Sequence, residues 1–162
     1  MNSLKDFQTA FGAIFSAEGS FPSITSFGQS DHETIAFQRG VAVIDLTGLS
    51  LVRVSGKDAD TLLHRLTMNE MRELTENQFI INAFTDPKGK LVDAFYQLKR
   101  GGSFDLIAGP GRAKNVAEWI DRYVFVEDVV VQDVSEDYSA FLLCGPAAER
   151  CLENEAKSDE LR

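Results

Sequence analysis

Apolar positions recur at helical spacing near the amino terminus. Leu4, Phe7, Phe11, Ile14 and Phe15 follow Ser3, a suitable amino-terminal cap, and predict an amphipathic helix. The stretch 19–32, with Pro22, Gly28 and several serines, breaks it. Residues 34–39 read as a short second helix leading into Val41-Ala42-Val43-Ile44. A strand carrying Leu49, Leu51 and Val54 ends at Ser55-Gly56, and 58–66 follows as a helix that buries Leu62, Leu63 and Leu66. Residues 79–84 and 91–98 predict two strands joined by Asp86-Pro87-Lys88-Gly89, and 104–108 a third after Gly101-Gly102. A helix from about Arg112 to Tyr123 places Val116, Trp119, Ile120 and Tyr123 on one face, and 129–134 and 140–143 supply two more strands.

Strand, helix, strands, helix, strand is the order of a split βαβ, ferredoxin-like unit. The fold class read from the chain is therefore α+β: an antiparallel sheet covered by two helices and preceded by an amino-terminal amphipathic helix. Three stretches are expected: a helical lead-in over 1–39, the principal domain over 40–147, and a charged tail or truncated continuation over 148–162. The last is rich in Glu, Lys, Asp and Asn, with Leu152 and Leu161 its only large aliphatic residues, and reads as a solvated helix or frayed end that needs a partner.

Composition narrows the function classes. With 162 residues, 44% hydrophobic and 25% charged, the chain can build a real core, and twelve Phe suggest that much of it is aromatic. A formal net charge of −9 disfavours nucleic acid and anionic membrane as partners. No stretch approaches the roughly 20 apolar residues of a membrane span. Lys5, Asp6 and Gln8 interrupt any signal-peptide core, so a cytoplasmic protein, or one of an organelle matrix, is expected. Cys144 and Cys151 form no CxxC pair and stand away from His32 and His64, so no zinc ligand set exists. Cys144 ends the apolar run Phe141-Leu142-Leu143 and reads as core.

No P-loop, GxGxxG, HExxH or GxSxG is present. The most informative stretch is Asp86-Pro87-Lys88-Gly89-Lys90-Leu91-Val92-Asp93, where a glycine turn permits close backbone approach to a ligand and Asp93 can face it from the next strand. The competing reading is an ordinary exposed hairpin, which spacing alone favours. Lys88, Lys90, Lys99, Arg100, Arg112 and Lys114 form a locally basic stretch, suited either to steering a small polyanion or simply to facing water.

Taken in order, Gly40-Val41-Ala42-Val43-Ile44-Asp45-Leu46-Thr47, Leu51-Val52-Arg53-Val54-Ser55-Gly56-Lys57-Asp58-Ala59 and Leu62 to Glu70 are similar to the opening motifs of the glycine-cleavage T-protein superfamily. The match continues through the hairpin, Asp93 and Trp119, and closes on Leu143-Cys144-Gly145-Pro146-Ala147. Within the superfamily the aminomethyltransferases carry serine-histidine-methionine and paired aspartates where this chain has Thr47-Gly48-Leu49 and Val92-Asp93. The lysine-glycine-lysine turn instead resembles the YgfZ-type folate-binding proteins, which support assembly or repair of iron-sulfur enzymes.

The resemblance implies tetrahydrofolate as cofactor, with Lys88, Gly89, Lys90 and Asp93 at its site and Asp93 as the residue that handles the folate and its one-carbon unit. It implies a pocket whose remaining walls come from missing carboxy-terminal domains or a second chain, and iron-sulfur client proteins as partners. The functional cysteine motif of the YgfZ branch does not occur in the chain, which by itself is not expected to be catalytic. An aminomethyltransferase component and a non-catalytic interaction module of the same fold are the alternatives.

Overall fold

The strand expected around Leu51 forms as β4, Leu49–Ser55, whose alternating burial sends Ser50, Val52 and Val54 to one face. In the computed structural model, which describes residues 4–16, 23–71 and 73–159, it opens a unit spanning Gly48–Ser139. The chain continues through α3 (Ala59–Leu66), β5 (Phe79–Thr85), β6 (Leu91–Arg100), β7 (Ser103–Pro110), α4 (Ala113–Asp121) and β8 (Val130–Asp133). The sheet order is β5-β6-β7-β4-β8, with every neighbouring pair antiparallel. β4 and β6 therefore run the same way with β7 between them, which is the expected split βαβ with β5 added at one edge.

One face of this sheet is buried. Ala59, Leu62 and Leu63 of α3 and Ala113, Val116 and Ile120 of α4 join Val52, Val54, Phe84, Phe95, Phe104 and Leu106 in a single core. Burying side chains of this size stabilises by about 1.5–3 kcal/mol each before entropy is counted. Gly56 ends β4 at φ +112°, and a Cβ there would lie 2.0 Å from the carbonyl oxygen of Asp128, so glycine is required on both counts. The other end of the same contact is a loop pinned by Glu127. Its carboxylate accepts Arg65 Nη2 at 2.8 Å and the amides of Phe125 and Val126 at 2.8 and 3.1 Å. These bonds, the Arg65 one foremost, lower the Glu127 pKa from 4.5 to about 2.

A second unit comprises Met1–Thr47 and Ala140–Arg162. It holds α1 (Leu4–Ala10), β1 (Ile14–Phe15), β2 (Ile24–Ser26), α2 (Ser30–Arg39), β3 (Ala42–Asp45), β9 (Phe141–Cys144) and α5 (Ala148–Asp159). β1 pairs with β2, and β3 pairs with β9 from Ala42↔Cys144 to Asp45↔Phe141. The opening helix is shorter than its apolar spacing predicts. Gly12 at φ +87° turns the chain out of it, so Ile14 and Phe15 enter a strand. The second helix starts earlier, at Ser30, where the Glu33 carboxylate accepts the Phe27 amide and the Ser26 hydroxyl and builds the preceding turn. Ser3, Gly19, Pro22 and Leu161 lie outside the described residues.

The aromatic core expected from composition is only partly realised. Phe84, Phe95 and Phe104 are buried, whereas Phe7, Phe11, Phe37, Phe79, Phe125 and Phe141 are exposed. Among the described residues, all fifteen buried apolar side chains fall within 48–139 and none belongs to the second unit. Its sheets have two strands each and cannot cover a face of their own. Cys144 accordingly is half-buried, its thiol 3.6 Å from the Ala42 carbonyl, and both cysteines are free.

Two outcomes follow from this architecture. Leu63→Ala, at a site with no exposure, is expected to cost about 2–5 kcal/mol in urea unfolding followed by far-UV circular dichroism. Because folding favours ionised Glu127, its contribution is complete above pH 4.5 and is lost as pH falls towards 2. Exchange protection of the Phe125 and Val126 amides, relative to their intrinsic rates, should fall through that window, and Glu127→Gln should abolish the dependence.

Candidate functional site

The predicted hairpin turn is built around Asp86. Its side-chain Oδ1 accepts the amides of Lys88 and Lys90 at 2.9 and 2.8 Å, and its carbonyl accepts the Gly89 amide at 2.8 Å. Gly89 takes φ +78°, yet a Cβ there would meet nothing within 4 Å, so the backbone angle and not crowding selects glycine. Lys88, Gly89 and Lys90 are all exposed at this tip. A register irregularity between Phe84 and Thr85 then sets Asp93 opposite Phe84.

Strand alternation puts Asp93 on the same side as Phe95 and Gln97, the buried face of the sheet. Its side chain is only 10% exposed. Oδ1 accepts the Ala94 amide at 2.9 Å, and Oδ2 accepts Nε of Arg112 at 2.8 Å. Arg112 immediately precedes α4, and its Nη2 also donates to the Val92 carbonyl at 3.3 Å. Its amide donates to Oγ of Ser50, a residue 3% exposed at the start of β4, at 2.7 Å. The carboxylate thus ties β6 to the residue before α4, and that residue is tied in turn to β4. Such an anchored acid can accept N–H donors from a ligand, because a carboxylate offers about four lone-pair sites and two are engaged.

The basic stretch does not converge with it. Arg112 meets Asp93, but Lys99 Nζ donates to the Leu74 carbonyl at 3.2 Å, Arg100 lies 5.9 Å from the Tyr138 ring centre, and Lys114 stands 3.8 Å from Glu118. Arg112 as the partner of Asp93 was missed by sequence reasoning, which grouped it with the turn lysines; nineteen residues separate the two, and only strand pairing joins them.

Two further polar clusters occupy the same unit. On the face away from the helices, Arg53 Nε and Nη2 grip Asp105 at 2.7 and 2.9 Å, and Nη2 reaches the Tyr138 hydroxyl at 3.0 Å. These partners, Asp105 first, raise the Arg53 pKa still further. On the buried face Asn82 Nδ2 donates to Gln97 Oε1 at 3.0 Å, while Asn82 Oδ1 accepts the Asn69 amide at 3.1 Å. The His64 ring stands 3.2 Å from Glu70. No group of three metal-ligating side chains exists among the described residues, and none of their helices is long and apolar enough to cross a membrane.

The large clefts among the described residues lie elsewhere. One of about 540 Å³, in the Met1–Thr47 and Ala140–Arg162 unit, is lined by Phe7, Phe11, Phe27, Val43 and Phe141, with Gln8 Nε2 donating to Asp45 Oδ2 at 2.6 Å. Its apolar lining follows from the missing core of that unit, and none of the hairpin residues borders it. Asp93 lines none of the described clefts.

Comparison with known proteins bears on this arrangement. The family described as the GCVT N-terminal domain matches residues 4–161. A putative chloroplastic transferase of Arabidopsis thaliana is 28% identical over 130 residues, covering 80% of this chain and 30% of its own length. An aminomethyltransferase of Alkaliphilus metalliredigens is likewise 28% identical over 130 residues, covering 80% of this chain and 35% of its own. The crystal structure of the glycine cleavage system aminomethyltransferase T from Bartonella henselae shares the fold, with a TM-score of 0.82 at 18% identity over 93% of this chain and 42% of that one. The chain spans about a third of the length of these curated relatives.

Proposed function

Because this chain belongs to the GCVT N-terminal domain family of the glycine-cleavage T-protein superfamily, we propose that it is a tetrahydrofolate-binding accessory protein of the YgfZ type, supporting iron-sulfur assembly or repair. The observation that carries this reading is the single anchored carboxylate of Asp93, with Val92 in place of a second acid, beside an exposed Lys88-Gly89-Lys90 turn. Bound folate would supply a one-carbon carrier. Asp93 would accept an N–H of the reduced ring system, and Lys88 and Lys90 would draw in the anionic glutamate end.

The residues fit the polar contacts of such a ligand, and none of the described clefts borders them to take its flat ring. On this reading stretch 40–147 forms one side of the site, and further domains or a second chain complete it. Iron-sulfur client proteins are the partners this reading implies, in the cytoplasm or an organelle matrix; the chloroplastic label of the Arabidopsis relative keeps the organelle open.

A second reading is an aminomethyltransferase component, favoured by several relatives that are named aminomethyltransferases. It demands folate-dependent release of ammonia from an aminomethyl carrier. Calorimetry with tetrahydrofolate on the longest natural form of the protein tests the first reading. Binding is expected, weakened about tenfold or more by Asp93→Ala, since hydrogen bonds to charged groups are worth about 1.5–3 kcal/mol. Absence of binding, or equal binding by the variant, sinks it; ammonia release would move the assignment to the second.

A further inference from the structure

We propose that Arg112 is a positioning residue that holds the Asp93 carboxylate in one orientation; its consequence for ligand binding rests on the folate reading above, its geometry does not. The Arg112 backbone is fixed first. Its amide donates to Ser50 Oγ at 2.7 Å and lies 3.2 Å from the Gly109 carbonyl, and its own carbonyl accepts the Val116 amide at 3.0 Å. β4, the end of β7 and the first turn of α4 thereby converge on one residue.

The side chain then grips two consecutive residues of β6. Nε takes the Asp93 carboxylate at 2.8 Å and Nη2 takes the Val92 carbonyl at 3.3 Å. With Oδ1 held by the Ala94 amide at 2.9 Å, both oxygens of Asp93 are engaged and rotation about its side-chain bonds is restrained. The planar fork of arginine achieves this because its donors are spaced in a rigid plane; a lysine ammonium is a point charge and cannot hold both acceptors. Asp93 is 10% and Arg112 40% exposed at the side chain, so the contact is sheltered on the carboxylate side. The turn lysines have no comparable role: their backbone amides are held by Asp86, and the residues themselves are exposed. Preorganisation of a ligand-accepting group in this way lowers the ordering cost at binding.

Two measurements test the assignment. Three-bond couplings to the Asp93 β-protons are expected to report one rotamer in the wild type and averaging in both Arg112→Gln and Arg112→Lys. Unchanged couplings in Arg112→Gln, or wild-type couplings in Arg112→Lys, would overturn it. Calorimetry with tetrahydrofolate is expected to show about a tenfold loss in both variants, as for a lost charge-assisted contact, and none in Lys114→Ala. In an Asp93→Ala background, Arg112→Gln should cause no further loss, since residues acting through one another are not additive. Additive losses would show that Arg112 acts on its own. If Arg112→Gln does not fold, judged by far-UV circular dichroism, Ser50→Ala serves instead, and its couplings should average partially; unaltered couplings there count against the proposal. If the wild type binds no folate, the proposed function fails, while the couplings still decide the role of Arg112.

Discussion

Burial of one face of the five-stranded sheet beneath α3 and α4 is the constraint on which the rest of the Gly48–Ser139 unit depends. It places β4 and β6 parallel with β7 between them, and so brings residues distant in sequence to one edge of the core. Asp93 lies where that buried face runs out. Phe95, two residues along the strand, is 3% exposed, while Asp93 keeps a sliver of solvent access and Arg112 more. A carboxylate deeper in the core would be costly to ionise, and one at the hairpin tip would be free to rotate. The boundary position leaves it both reachable and fixed.

The same core holds polar groups that are mostly paired, although Gln97 Nε2 and Trp119 Nε1 are buried without a partner. Gln97 and Asn82 are almost wholly buried and bond to one another, and Asn82 also holds the Asn69 amide. On the opposite face Arg53 and Asp105 form a two-bond ion pair. These pairs add less to stability than the apolar burial around them, because desolvation offsets most of the gain; losing one partner is the expensive event. They fix strand register, which sets the position of Asp93 against Arg112.

Among its described residues the other unit buries no apolar face in this way. Val41-Ala42-Val43-Ile44 and Phe141-Leu142-Leu143 are continuous apolar runs, the pattern of strands covered on both faces. Here they form a two-stranded sheet in which Val43, Ile44, Phe141 and Leu142 remain exposed. The cleft lined by Phe7 and Phe11 belongs to this unit and has the same origin.

By itself the sequence determined the α+β class, the order of strands and helices over 48–139, and the hairpin that presents Asp93, because apolar periodicity and glycine turns are local signals read within a few residues. The ordered motifs also placed the chain in its superfamily, which the match over 4–161 bears out. Local signals failed where one residue redirected the chain: Gly12 diverted Ile14 and Phe15 from helix to strand, although their spacing continued the helical pattern. They also could not say which phenylalanines were buried, since burial needs an opposing layer. Only the tertiary structure decided that Arg112, and not the turn lysines, meets Asp93. Strand register and the start of α4 set that contact, and neither is encoded within reach of either residue alone.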